Sequence, residues 1–170
     1  MNLYTSLAKK AIENYVKQGE EISPPENLPK KLLEQKAGVF VTIKKDNKLR
    51  GCIGTYMSTE ANIAQEIITN AIAAATKDYR FNPVQEKELP YLSYSISILS
   101  EPEEIQDLKK LDPKKYGIIV KSNKKTGLLL PDLEGIDTIK KQIVNACKKA
   151  DIDPSKESLL IYKFTVKEYS

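Results

Sequence analysis

Apolar side chains recur at Leu3, Leu7, Ala11 with Ile12, and Tyr15 with Val16. That spacing predicts an amphipathic helix over residues 3–18 with one buried stripe, stopping at Gly19. From Gly19 to Lys36 the periodicity disappears. The run Ser23-Pro24-Pro25-Glu26-Asn27-Leu28-Pro29 suits neither a regular helix nor a central strand, so the stretch is read as an extended crossing. Gly38-Val39-Phe40-Val41-Thr42-Ile43 is β-branched and aromatic. With the polar run Lys44–Lys48 and the stretch Leu49–Thr55 it reads as a hairpin.

Ser58 or Thr59 is expected to cap a helix that continues to about Lys77, with Ile63, Ile67, Ala71 and Ala74 in one row and Ala64, Ile68, Ile72 and Ala75 in another. Asn70 interrupts its middle, and Pro83 forbids continuation beyond Asp78-Tyr79-Arg80-Phe81-Asn82. Leu92–Leu99 alternates strictly. Leu92, Tyr94, Ile96 and Ile98 fall on one face and Ser93, Ser95 and Ser97 on the other, the pattern of a half-buried strand. Gly117–Lys121 and Gly127–Pro131 predict a second hairpin around Ser122–Thr126. Asp137 is read as the cap of a helix running through Ile139, Ile143, Ala146, Cys147 and Ala150, and Leu159–Val166 closes the chain as a strand. Three helices interleaved with hairpins, without a regular βαβ rhythm, imply an α+β protein with a largely antiparallel sheet and flanking helices. At 170 residues one domain over 1–170 is expected.

Composition narrows the chemistry mainly by what it omits. There is no histidine, so neither a Ser-His nor a Cys-His pair can form within the chain, and imidazole-based metal sites are excluded. Two cysteines, Cys52 and Cys147, make neither a thiolate cluster nor a secreted disulfide framework. No metal set and no cofactor motif is read, since Gly-x-Gly-x-x-Gly and Walker loops are absent. The net charge of +4 comes from scattered lysine pairs mixed with carboxylates, which argues against a nucleic-acid stripe. Without an apolar leader or a membrane-length apolar run, a cytoplasmic protein is expected.

One stretch concentrates unusual residues. Leu49-Arg50-Gly51-Cys52-Ile53-Gly54-Thr55 has glycines three apart around a cysteine, and it holds one of only two arginines among 27 basic residues. The other is Arg80, in Asp78-Tyr79-Arg80-Phe81. Where lysine serves every other positive charge, a planar five-donor guanidinium suggests a bidentate anion or a set of carbonyls. If Leu49–Ile53 is extended, Arg50 and Cys52 share a face, and a cation beside a thiol favours thiolate. The alternative is that Cys52 is a small buried hydrophobe and Arg50 ties down a loop. The candidate site is therefore Cys52 as thiolate, with Thr55 and Asp78 supplying hydrogen bonds. Arg50, Arg80 and Asn70 would contact an anionic substrate, with Gly51 and Gly54 giving it access to backbone.

These residues resemble the signature of the AMMECR domain family. The flanking segments agree: Gly38–Thr42 is similar to the strand before the signature, Asn70-Ala71 through Phe81 to a conserved helix end, Ser95–Leu99 to the central strand, Leu130-Pro131 to a Leu-Pro pair and Ile161–Phe164 to the closing strand. Asp132 departs from the Glu or Gln expected after Leu-Pro. The resemblance implies a larger and a smaller lobe with the signature in or near a cleft between them. It also implies a shared pathway with a Memo-type protein and a radical-SAM enzyme, beside which similar prokaryotic proteins are encoded. It leaves two functions open: an enzyme or enzyme component acting on an anionic substrate, and a non-catalytic module that binds a nucleotide, RNA or a partner protein.

Overall fold

A two-residue turn at Asp46-Asn47 sets the register of the first sheet. Both residues have positive φ (50° and 61°), the conformation that reverses a hairpin with the correct twist and that Asp and Asn tolerate best. β1 (Val39–Lys45) therefore pairs antiparallel with β2 (Lys48–Thr55), Lys45 opposite Lys48. The computed structural model describes residues 1–170. The chain divides into two compact units: Met1–Leu99 with Lys167–Ser170, and Ser100–Val166.

In the first unit, β3 (Leu92–Leu99) pairs antiparallel with β1, and β8 (Val166–Tyr169) completes a four-stranded sheet in the order β2-β1-β3-β8. β2 is thus an edge strand. Helices α1 (Leu3–Gln18) and α3 (Ile63–Thr76) pack on each other and against the sheet. Val39, Val41 and Ile43 of β1, with Tyr94 and Ile96 of β3, meet Leu7, Ala8, Ala11 and Ile12 of α1 and the apolar rows of α3 in one core. The alternation expected of β3 holds, since Tyr94, Ile96 and Ile98 stand opposite Ile43, Val41 and Val39. α1 begins at Asn2, whose side chain accepts from the Tyr4 and Thr5 amides, and ends at Gly19, whose φ of 74° and bond to the Tyr15 carbonyl close it.

In the second unit β4 (Glu103–Ile105), β5 (Gly117–Ser122), β6 (Lys125–Leu129) and β7 (Leu160–Phe164) form an antiparallel sheet in the order β4-β7-β5-β6. α4 (Ile139–Lys149) packs on β5 and β6, and Cys147, 1% exposed, lies in its core with Ile118, Val120 and Ala146. Two antiparallel sheets with helices make the α+β class that the sequence predicts. Asp132 has a φ of 56°, a left-handed conformation that Asp adopts more readily than Glu or Gln, which accounts for the residue found there.

Five details differ from the sequence reading, one of them the closing strand, which breaks at Thr165 into β7 (Leu160–Phe164) and β8 (Val166–Tyr169) in different sheets. The crossing from Gly19 to Lys36 contains a short helix, α2 (Lys30–Glu34), which starts immediately after Pro29 where a fixed φ suits a helix entry. α3 is capped by Asn62, whose side chain accepts from the Gln65 amide, and not by Ser58 or Thr59, whose hydroxyls bond to Glu66 instead. β6 starts two residues earlier than Gly127, with Lys125 opposite Ser122. α4 is capped by Thr138, whose side chain accepts from the Lys141 amide, and not by Asp137.

Candidate functional site

The signature residues occupy β2, and the end of α3 reaches over this edge strand at Gly51. A Cβ on Gly51 would collide with the Ala74 carbonyl oxygen, and one on Gly54 would run into the Phe40 ring. The close approach expected of a substrate at these glycines is therefore made by the protein's own backbone and side chain.

Because β2 is an edge strand, the Cys52 peptide group has no strand to bond on its outer side. The Asp78–Arg80 pair stands in for one. Asp78 Oδ2 accepts from the Cys52 amide at 2.9 Å, and Arg80 Nη2 donates to the Cys52 carbonyl at 3.4 Å. The two side chains are joined in turn. Arg80 Nε donates to Asp78 Oδ1 at 2.9 Å and Nη2 to Oδ2 at 2.7 Å, while the Arg80 amide donates to Oδ1 at 3.1 Å. The Asp78 side chain is 3% exposed. The bonds from Arg80 hold its carboxyl far below the usual aspartate range, and burial, which opposes this, is outweighed. Such a plug also blocks edge-to-edge pairing at this position.

Arg50 is committed elsewhere. The register of β1 and β2 shifts between Ile43 and Lys44, so Ile43 pairs with Gly51, Lys44 with Leu49, and Arg50 is left without a partner as a bulge. The alternation that would set Arg50 beside Cys52 is therefore interrupted at Arg50. Arg50 Nε and Nη2 donate to Glu88 Oε1 and Oε2 at 3.0 and 2.9 Å. Lys45 Nζ adds a bond at 3.2 Å and the Gln85 amide one at 3.0 Å. The Arg50 fork is the main reason the Glu88 carboxyl falls to about 2, against a smaller opposing effect of burial. Both guanidinium carbons lie within 6 Å of the Phe81 ring centroid, at 5.9 Å from Arg50 and 5.6 Å from Arg80.

Thr55 and Asn70, also singled out in the sequence, belong to a third web. Asn70, 4% exposed, donates from Nδ2 to the Val39 carbonyl at 3.0 Å and to Thr55 Oγ1 at 3.2 Å. Thr55 Oγ1 donates to Glu66 Oε1 at 2.5 Å. Glu66 is fully buried and accepts further bonds from the Ser58 hydroxyl, the Thr59 amide and hydroxyl, and the Glu60 amide. Burial pushes its carboxyl up, but the bonds from Thr55, Glu60 and Thr59 prevail and keep it below the ordinary value.

Cys52 is half-buried, and its Sγ lies 3.3 Å from Thr42 Oγ1. The strand register puts Cys52 opposite Thr42, and Thr42 opposite Ser95, a row across three strands on the face turned from Val41 and Ile96. No group of three or more Cys, Asp or Glu side chains is placed to hold a metal ion.

Sequence reasoning missed Glu66 and Glu88. For Glu66 a signal existed: it stands four residues before Asn70 on a mostly apolar helix, hence on the same face. Glu88 lies in Glu86-Lys87-Glu88, where nothing distinguishes an ion-pair anchor from solvated charge.

The fold and the signature together define an α+β domain with an arginine-braced cysteine strand. The AMMECR1 family model matches residues 5–169, and the chain belongs to that family. A protein of Thermotoga maritima is 50% identical over 167 residues, covering 98% of this chain and 96% of the relative. A Clostridium acetobutylicum protein is 46% identical across 96% of this chain but only 35% of its own length, so there the match is one part of a longer polypeptide. The crystal structure of an uncharacterised protein, PH0010 of Pyrococcus horikoshii, superposes with a TM-score of 0.88 at 35% identity, covering 97% of this chain and 88% of that one. No helix of the chain is long and apolar enough to cross a membrane.

Proposed function

We propose that this domain is a non-catalytic, cytoplasmic binding module for a partner protein, acting in the pathway that the family resemblance implies, alongside Memo-type and radical-SAM proteins. The observation that carries this reading is the internal commitment of the signature. Both arginine forks are engaged by carboxylates of the chain itself, Glu88 and Asp78, and the Cys52 amide is engaged by Asp78. To take the same bidentate positions a substrate anion would have to displace Glu88 from Arg50 and Asp78 from Arg80. The Clostridium relative, in which a matching segment is about a third of the chain, supports a component that works beside other protein.

A second reading, an enzyme or enzyme component with Cys52 as nucleophile and a small anionic substrate, is favoured by one observation: Cys52 is a half-buried residue, unlike Cys147, with a hydroxyl 3.3 Å from its sulfur. The two part on Cys52→Ser. The module reading expects the variant to bind the Memo-type protein like the wild type in a titration calorimeter and to keep the pathway running in cells. Loss of pathway function with binding and folding intact would transfer the proposal to the enzyme; no binding by the wild-type chain would remove the module.

A further inference from the structure

The chain's surplus positive charge is concentrated. Residues 44–50 and 77–91 hold seven lysines and arginines against four aspartates and glutamates, whereas the other 148 residues hold 20 against 19. Two of those four carboxylates, Asp78 and Glu88, are already bound by arginine. Lys44, Lys48, Lys77 and Lys87 are exposed and face outward with only Asp46 and Glu86 as exposed counter-charges.

The same two segments are tied into one surface. Lys45 and Arg50 of the hairpin both bond Glu88, and Lys45 stands opposite Leu92, next to Tyr91. Between them lies a hollow of about 410 Å³ lined by Lys45, Asp46, Lys87, Glu88 and Tyr91. Of the lining residues Tyr91 is 65% exposed and carries the apolar surface of the hollow; elsewhere in the same two segments Tyr79 is 96% exposed. The Glu88 web fixes this ground before anything binds, which lowers the ordering cost of association. An exposed tyrosine on a rigid base is among the side chains that anchor protein-binding hot spots.

We infer that the tip of the β1–β2 hairpin and the 77–91 segment form a docking surface for an acidic, apolar-containing segment of a partner protein, with an apolar side chain of that segment in the Tyr91 hollow. The inference rests on the module reading above and names the chemistry of its partner. Spaced carboxylates can each meet a lysine while avoiding Asp46 and Glu86. A phosphate backbone carries a charge at every step and would set some of them against Asp46 and Glu86, so a peptide is favoured over RNA.

The test uses fluorescence anisotropy with the whole chain and short labelled peptides, one alternating glutamate with leucine and one alternating lysine with leucine. The glutamate peptide should bind, weaken with salt, and lose about tenfold or more in affinity on Lys48→Glu combined with Lys87→Glu. Tyr91→Ser should weaken it as well. The neutral pair Lys48→Gln and Lys87→Gln should fall between, which guards against a folding artefact. Equal binding of the two peptides, no response to either double variant, or tighter binding of oligouridine would each overturn the inference. Running the charge-reversed variant against the Memo-type protein separates the two proposals. If that complex forms and is indifferent to the reversal, the surface is wrong and the module stands; if the wild type forms none, the module itself fails.

Discussion

Asp78 and Cys52, 26 residues apart, are joined by a 2.9 Å bond from the Cys52 amide to Asp78 Oδ2, the shorter of the two bonds that fill the open edge of β2 at this residue. The carboxylate that makes it is buried and also carries both donors of the Arg80 fork. Asp78→Asn keeps the volume but removes the charge that all four bonds rely on, leaving Arg80 unpaired beside the edge. We expect a loss of about 3 kcal/mol in urea unfolding. A loss below about 0.5 kcal/mol would show that the edge closes without the ion pair.

The depressed carboxyls fix the direction of acid sensitivity. Glu88 titrates at about 2 in the fold against an ordinary 4.5, so its stabilising effect is complete above about pH 4.5 and disappears as pH falls through 2. Asp78 acts in the same direction at still lower pH. Melting temperature should therefore drop steeply below pH 4.5, and Glu88→Gln, less stable at neutral pH, should show a shallower acid limb. Parallel acid limbs in the two proteins would contradict the assignment.

Gly51→Ala tests why glycine stands in the signature. A methyl group there meets the Ala74 carbonyl, part of helix backbone that cannot rotate aside. The expected cost is about 2–3 kcal/mol, larger than for Gly19→Ala, where the site is open and only the positive φ opposes the side chain. If Gly51→Ala were tolerated as well as Gly19→Ala, a ligand-access role for this glycine would regain its ground.

What could be read in advance follows from how local each cause is. α1 and β3 are set by periodicity within their own residues, and both appear with the limits expected. The cap of α3 falls on Asn62 while Glu66 recruits Ser58 and Thr59 from the preceding loop, an interaction that N-cap preferences cannot register. The bulge at Arg50 leaves no trace in the alternation of Leu49–Ile53, yet it decides where the guanidinium goes. The scarcity of arginine correctly marked two bidentate pairs, but their carboxylates, Asp78 two residues away and Glu88 38 residues away, differ in legibility for the same reason. The signature was visible as composition; its partners were visible only where sequence separation was small.

The buried carboxylate of Glu66 offers a sharper test of the loop that follows β2. Its oxygens collect the Thr55, Ser58 and Thr59 hydroxyls and the Thr59 and Glu60 amides, with no cation near enough to pair. Glu66→Ala strands these donors and should cost about 3 kcal/mol or more, with amide exchange rising first at residues 56–62. Acetate, small enough to enter the vacated space, should restore part of the stability. Uniform exchange across the first unit, with no acetate effect, would mean that Glu66 is not what holds the loop.

The two cysteines should differ toward a thiol reagent in the native protein. Cys147 is 1% exposed and burial pushes its thiol up, so both access and thiolate fraction are low. Cys52 is half-buried, with the Thr42 hydroxyl 3.3 Å from its sulfur. Titration with a disulfide reagent at neutral pH should therefore release about one equivalent before unfolding and a second only with denaturant. Cys52→Ser should abolish the first and leave the second, while keeping most of the stability because serine retains a hydrogen bond to Thr42. Two slow thiols in the folded chain would place Cys52 with the sealed core, and the enzyme reading would lose its one supporting observation.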